Sequence, residues 1–166
     1  MQQLLRDERT GVVMAYAVEI KELAPEKLAS IRGWCSGADL AKVMEAEFGR
    51  IVDAISAQRL HPIGPPVAVY HAWTEENVDL ELGFPVAGDF HEVQDVRSSE
   101  LPGGRVAFTL HAGPYDQIEP AYNAIQEYAE ANGLTLAPMM WERYLTDPSQ
   151  ESDPSKHLTQ IVWPLA

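Results

Sequence analysis

Glu142 stands between Trp141 and Tyr144 in the run MMWERYLTDP, residues 139–148, whose other members are those of a buried strand. A strand's period of two puts Met140, Glu142 and Tyr144 on one face and Trp141, Arg143 and Leu145 on the other. A carboxylate turned into a low-dielectric interior must be protonated, hydrogen-bonded or matched by a cation. Tyr144, two residues on, offers a hydroxyl, and surrounding aromatic faces attract lipophilic ammonium-type cations. The same carboxylate beside a bound water would serve as a general base, which makes Glu142 the catalytic candidate if the protein is an enzyme. An exposed strand edge, with Glu142 paired to Arg143 or another base, is the bland alternative.

The other reactive side chains are scattered. Cys35 in RGWCSG is the single cysteine, so no internal disulfide is available, and no base neighbours it in sequence. The histidines at 61, 71, 91, 111 and 157 show neither i,i+4 pairing nor a Cys/His cluster, so no metal is expected. His71 and His111 read as ordinary polar-face residues. Gly103-Gly104 precedes a strand rather than a helix, there is no Gly-x-Ser-x-Gly elbow, and no cofactor is indicated. Large aromatics are core residues more often than cavity walls. Glu81, opposite Leu80, Leu82 and Phe84, reads as solvated, with a second acidic pocket residue as the alternative.

Strands and helices that position these groups follow from periodicity. VVMAYAVEIKEL alternates, with Met14, Tyr16, Val18 and Ile20 on one face, and RVAFTLHAG repeats the pattern with Val106, Phe108 and Leu110. Helical spacing follows each. Leu40, Val43, Met44, Ile51 and Ile55 lie behind Asp39, a predicted N-cap. Ile118, Tyr122, Ile125 and Ala129 lie behind Asp116 and Glu119 in capping-box relation, Pro120 falls in the first turn, and Asn132-Gly133 is the stop. Two strands follow each helix: PPVAVYHAW and VDLELGFPV, then APMMWERYL and HLTQIVWPL. Each last strand ends aromatic-Pro-aliphatic, at Phe84-Pro85-Val86 and Trp163-Pro164-Leu165. That is an internal repeat, with Tyr70 matched to Tyr144, Pro85 to Pro164 and Glu81 to Gln160. It predicts one α+β domain over residues 1–166, built of duplicated strand-helix-strand-strand units with pseudo-twofold symmetry. Unit one covers about 13–86, a linker about 87–104 and unit two about 105–166. Antiparallel sheets with helices on one face leave a central ligand groove.

Composition narrows the partners. Twelve Lys and Arg against 25 Asp and Glu give a formal charge of −13, which repels nucleic acid and anionic membranes and attracts cations. The run MQQLLRDERTGVVMAY lacks an apolar export segment, and no stretch is long and apolar enough to span a bilayer, so a cytoplasmic location is expected.

Gly-Pro-Tyr at 113–115 opening a helix, Glu-x-Tyr-x-x-Asp-Pro at 142–148 and TQIVWP at 159–164 resemble the GyrI-like small-molecule-binding domain, the effector-binding domain of AraC- and MerR-type multidrug-responsive transcription regulators. IKELAPEKLASIRG and GPPVAVYH extend the resemblance from about residue 13 onward. It implies an aromatic cavity holding lipophilic, often cationic compounds against a buried glutamate, here Glu142. The candidate ligand set is Glu142, with Tyr144 and Tyr70, which the repeat places together, and Met140, Trp141, Phe84, Tyr115, Trp163 and Trp34 as candidate walls. With the first strand starting within about 16 residues of Met1, the chain reads as a stand-alone ligand domain, without the helix-turn-helix module such regulators carry. It is expected to act as a sensor, a transcription co-regulator or a sequestering protein. The resemblance leaves two further classes: a hydrolase of strained, cyclopropane-type electrophiles using Glu142 as general base, and an acidic protein-interaction module of the DNA-gyrase-inhibitor type with a protein partner. Oligomeric state is left open.

Overall fold

β-Branched and aromatic alternation, interrupted twice by an amphipathic helix, produces the expected α+β architecture in the computed structural model, which describes residues 5–6 and 13–166. Residues 1–4 and 7–12, on which the reading of the amino-terminal run rested, lie outside the described residues. The elements are β1 (Leu5–Arg6), β2 (Val13–Ala15), β3 (Glu19–Leu23), β4 (Glu26–Ser36), α1 (Leu40–Ala57), β5 (Val67–Trp73), β6 (Asn77–Pro85), β7 (Arg97–Leu101), β8 (Gly104–Ala112), α2 (Glu119–Ala131), β9 (Met140–Tyr144) and β10 (Leu158–Pro164). β1 and β2 form a small antiparallel pair of their own.

The chain divides into two units. One comprises Ala24–Gly104 and Pro138–Trp141; the other comprises the residues up to Leu23, Arg105–Ala137 and Glu142–Ala166. In the first, strands neighbour in the order β5-β6-β4-β7; in the second, the order is β3-β8-β10-β9. Each is built on strand-helix-strand-strand, as β4-α1-β5-β6 and β8-α2-β9-β10, with an added edge strand. The repeat extends to single hydrogen bonds. Ile63 N donates to Pro85 O at 2.9 Å as Ala137 N does to Pro164 O at 2.8 Å. Val86 N reaches Lys27 O at 3.1 Å as Leu165 N reaches Arg105 O at 3.0 Å.

Four local readings are corrected. The strand expected over residues 12–23 is broken into β2 and β3, and the strand that precedes α1 is β4, which the sequence pattern did not reveal. Its partners supply its stability: β4 runs antiparallel to β6 from Leu28–Pro85 to Ser36–Asn77, and to β7 on its other side. Asp39 makes no capping hydrogen bond to α1; Ser36 instead accepts from Asp39 N and caps the short 3-10 turn Gly37–Asp39 ahead of the helix. Asp116 and Glu119 form no capping box, because Asp116 belongs to a separate 3-10 turn, Tyr115–Gln117, and α2 begins at Glu119. The stop is as expected, with Gly133 at φ 64°, a left-handed conformation that glycine adopts without a Cβ penalty.

Ile51 and Ile55 on α1 and Ala121, Ile125 and Ala129 on α2 form the buried helix faces. Phe48 of α1 meets Phe84 of β6 edge-on at 5.5 Å between ring centres. No helix of the described residues is long and apolar enough to cross a membrane. Because Ile125 lies one turn beyond Tyr122 on the buried face of α2, Ile125→Ala should destabilise the protein by about 2–5 kcal/mol. Glu127→Ala, on the exposed face, should stay within about 0.5 kcal/mol of wild type, and urea denaturation measures both.

Candidate functional site

Glu142 is 3% exposed, in the middle of β9. Its two carboxylate oxygens are held separately: Tyr144 Oη donates to Oε1 at 2.8 Å and Tyr122 Oη donates to Oε2. An O–H donor on each oxygen stabilises the charged form of a buried carboxylate. Tyr144 is placed by the alternation of β9; Tyr122 is placed by the buried face of α2, one turn before Ile125. Tyr115 stands edge-on to Tyr144 at 5.5 Å between centres and tilted against His157 at 5.9 Å. It is 40% exposed, so it forms the outer part of this aromatic cluster. Burial, and then the negative charges of Glu142 and Asp147, push the Tyr115 phenol above its ordinary pKa.

The segment that presents Tyr115 is tightly held. Gly113 takes φ 134°, open to glycine, and its N–H donates to His157 O at 2.8 Å. His111 Nε2 lies 2.9 Å from Pro114 O, a group that only accepts, so Nε2 carries the proton and Nδ1 accepts from Tyr16 Oη at 2.9 Å. His111 is buried and fully engaged rather than an ordinary polar-face residue.

The remaining ligand candidates fall in different places. Trp163 is buried in β10 with its indole N–H donated to Ala137 O at 2.8 Å. In the other unit, Met140 and Trp141 are core, Phe84 packs on Phe48, Tyr70 is half-buried in β5, and Trp34 near the end of β4 is 61% exposed. The structure therefore brings Glu142, Tyr144 and Tyr115 together and adds Tyr122. Periodicity alone places Tyr122 in the apolar stripe of α2. A phenol on a buried helix face needs a hydrogen-bond partner, and that was the available signal.

Glu81 is not solvated, and this reading is corrected. Its carboxylate accepts from Ser30 Oγ at 2.7 Å and meets His71 Nε2 at 2.7 Å. Ser30 Oγ in turn lies 2.7 Å from Ser99 Oγ. Burial alone would raise the pKa of Glu81, but hydrogen bonds from His71, Ser99 and Ser30 overcome it and hold the value at about 2. His71 is likewise part of this network rather than a free polar-face residue. Cys35 is half-buried, with its thiol pushed up by burial and by Asp39, the opposite of an activated nucleophile. Among the described residues no cluster of His, Cys, Asp and Glu could hold a metal.

The family model of the GyrI-like small molecule binding domain matches residues 16–166. The chain belongs to that family. This GyrI-like domain is similar in fold to the C-terminal domain of EcmrR, with a TM-score of 0.80 at 23% identity over 92% of this chain and 99% of that one. EcmrR in its complex with DNA gives a TM-score of 0.82 at 22% identity, covering 95% of this chain and 59% of that chain, so the domain spans somewhat over half of the regulator's length. A hydrolase from Listeria innocua is more distant, with a TM-score of 0.66 at 13% identity over 96% of both chains. SAV2435 bound to tetraphenylphosphonium gives 0.56 at 14% identity, over 90% of this chain and 94% of that one. No curated protein matches in sequence.

The Glu81 network gives the GyrI-like domain a defined acid response. Its folded pKa of about 2 lies below its ordinary 4.5, so the stabilisation is complete above pH 4.5 and is lost as the pH falls through about 2. Glu81→Gln should cost about 1–3 kcal/mol at pH 7, and the gap to wild type should shrink between pH 4.5 and 2 in urea denaturation. A gap unchanged across that range would mean that Glu81 does not act through its charge.

Proposed function

We propose that this GyrI-like domain captures lipophilic cations, aromatic ones above all, against Glu142, as a sensor, a transcription co-regulator or a sequestering protein. The observation that carries the reading is the buried Glu142 carboxylate with a phenol on each oxygen and the Tyr115–Tyr144 ring pair beside it. Such an anion gains Coulomb energy from a bound cation that an exposed one does not, because water screens it less. The ring faces add cation–π attraction. SAV2435, of the same fold, binds tetraphenylphosphonium, a ligand of this class.

A soluble cytoplasmic setting accords with this reading, with Trp163, in the same unit as Glu142, as a further wall residue. A hydrolytic role with Glu142 as general base is the weaker reading. Both carboxylate oxygens already accept from phenols, so turnover of cyclopropane- or epoxide-bearing aromatics is expected to be absent.

Tetraphenylphosphonium and tetraphenylborate have nearly the same shape and opposite charge, which makes them the deciding pair. Isothermal titration should show tetraphenylphosphonium binding and tetraphenylborate not. Glu142→Gln should lower phosphonium affinity by about 1–3 kcal/mol, the cost of losing a charged partner. Equal affinity for the two ions in the wild type would leave a greasy pocket without electrostatic selection.

A further inference from the structure

One hydroxyl on the Glu142 face has nothing to do. β10 pairs with β8 so that Thr159 lies opposite His111 and Ile161 opposite Thr109. On its other side Leu145 N donates to Leu158 O at 3.0 Å, a register that sets Tyr144 opposite Thr159 and Glu142 opposite Ile161. Strand alternation therefore puts His111, Thr159 and Tyr144 in one row on the face that carries Glu142. Every other polar side chain in these rows has a partner. Thr109 donates to Ala17 O at 2.6 Å, His111 uses both nitrogens, and Tyr144 and Tyr122 donate to Glu142. Thr159 is 0% exposed, and its hydroxyl has no hydrogen-bond partner among the described residues.

A buried, unpaired hydroxyl weakens the fold, and valine would fill the same space without that loss. We propose that Thr159 is a specificity-determining residue of the Glu142 site, accepting a hydrogen bond from an N–H of the bound cation. The inference rests on the cation-binding reading of that site. It narrows the ligand class to aromatic cations that carry an amino N–H near the charged centre, in preference to fully alkylated or phosphonium cations. Thr159 and Glu142 are diagonal cross-strand neighbours, with Cβ atoms up to about 7 Å apart. A single planar dye spans that separation, with its charge against Glu142 and its amino group at Thr159.

Thionin and methylene blue make the test, since both are permanently charged phenothiazinium dyes and only thionin bears N–H groups. Thr159→Val should lower thionin affinity by about 3–10-fold, the worth of one hydrogen bond, and leave methylene blue within about twofold. Glu142→Gln should weaken both dyes together. The Thr159→Val protein should melt at or above the wild-type temperature, which shows that the hydroxyl does not serve the fold. If both dyes bind through Glu142 and Thr159→Val shifts them equally or not at all, the role of Thr159 falls and the cation reading stands. If neither dye binds the wild type, both fall. A lowered melting temperature in Thr159→Val also overturns the proposal, because the hydroxyl would then have a structural partner.

Discussion

Burying the Glu142 carboxyl group with a phenol on each oxygen is the constraint around which this unit of the protein is organised. An ionised carboxylate moved from water to an apolar interior costs far more than a hydrogen bond returns. Hydrogen bonds to a charged group return about 1.5–3 kcal/mol each, so phenols on both oxygens offset only part of that cost. The geometry needed to supply them is demanding. β9 must alternate so that Tyr144 follows Glu142 on the same face, and α2 must present Tyr122 from above the sheet. The 3-10 turn must then start where Tyr115 can cover Tyr144, which is why Gly113, Pro114 and His111 are locked together.

Duplication makes the specialisation visible. With Tyr70 matched to Tyr144, the position of Glu142 is taken by Ala68 in the other unit, fully buried and apolar. With Pro85 matched to Pro164, the position of Glu81 is taken by Gln160. Each unit thus holds one acid in a hydrogen-bonded setting, Glu142 buried and Glu81 partly so, for different ends. Glu81 is surrounded by a histidine and two serines, with its pKa at about 2, a closed network that fastens β4, β5, β6 and β7 to one another. Glu142 is surrounded by phenol rings, one of them 40% exposed, an arrangement suited to receiving something from outside.

Much of this was legible from residue types. The helices, the five strands that follow periodicity and the equivalence of Pro85 and Pro164 could all be read, because each rests on a local pattern. β4 could not. EKLASIRGWCS mixes Lys, Arg, Gly and Ser, and its extended state is imposed by β6 and β7 pairing on both sides, a tertiary effect that overrides propensity. Glu81 was misread for a related reason. Alternation showed that it lies opposite Leu80 and Leu82, but not that this second face is closed as well, with Ser30, Val67 and Val69 all buried there. Of the site, Glu142 and Tyr144 followed from spacing and from the family resemblance. Tyr122 required knowing which way the face of α2 points.

For the cationic ligand proposed above, the charge of −13 and the buried Glu142 would act over different distances, and their roles separate accordingly. Surface carboxylates are screened beyond about 8 Å at physiological ionic strength, so they raise the encounter rate without selecting among cations. Selection belongs to groups that the ligand touches after water has left. The Tyr115 phenol marks the passage between the two regimes. Its pKa is raised by burial first, and then by Glu142 and by Asp147 in the loop beyond β9, so a cation bound as proposed would meet the field of both carboxylates at this ring. On the proposed reading, this ring, held edge-on to Tyr144, would be the point of first contact. Beyond it, on the same reading, the spacing of Glu142 and its hydrogen-bonding neighbours, rather than net charge, would decide which cations stay.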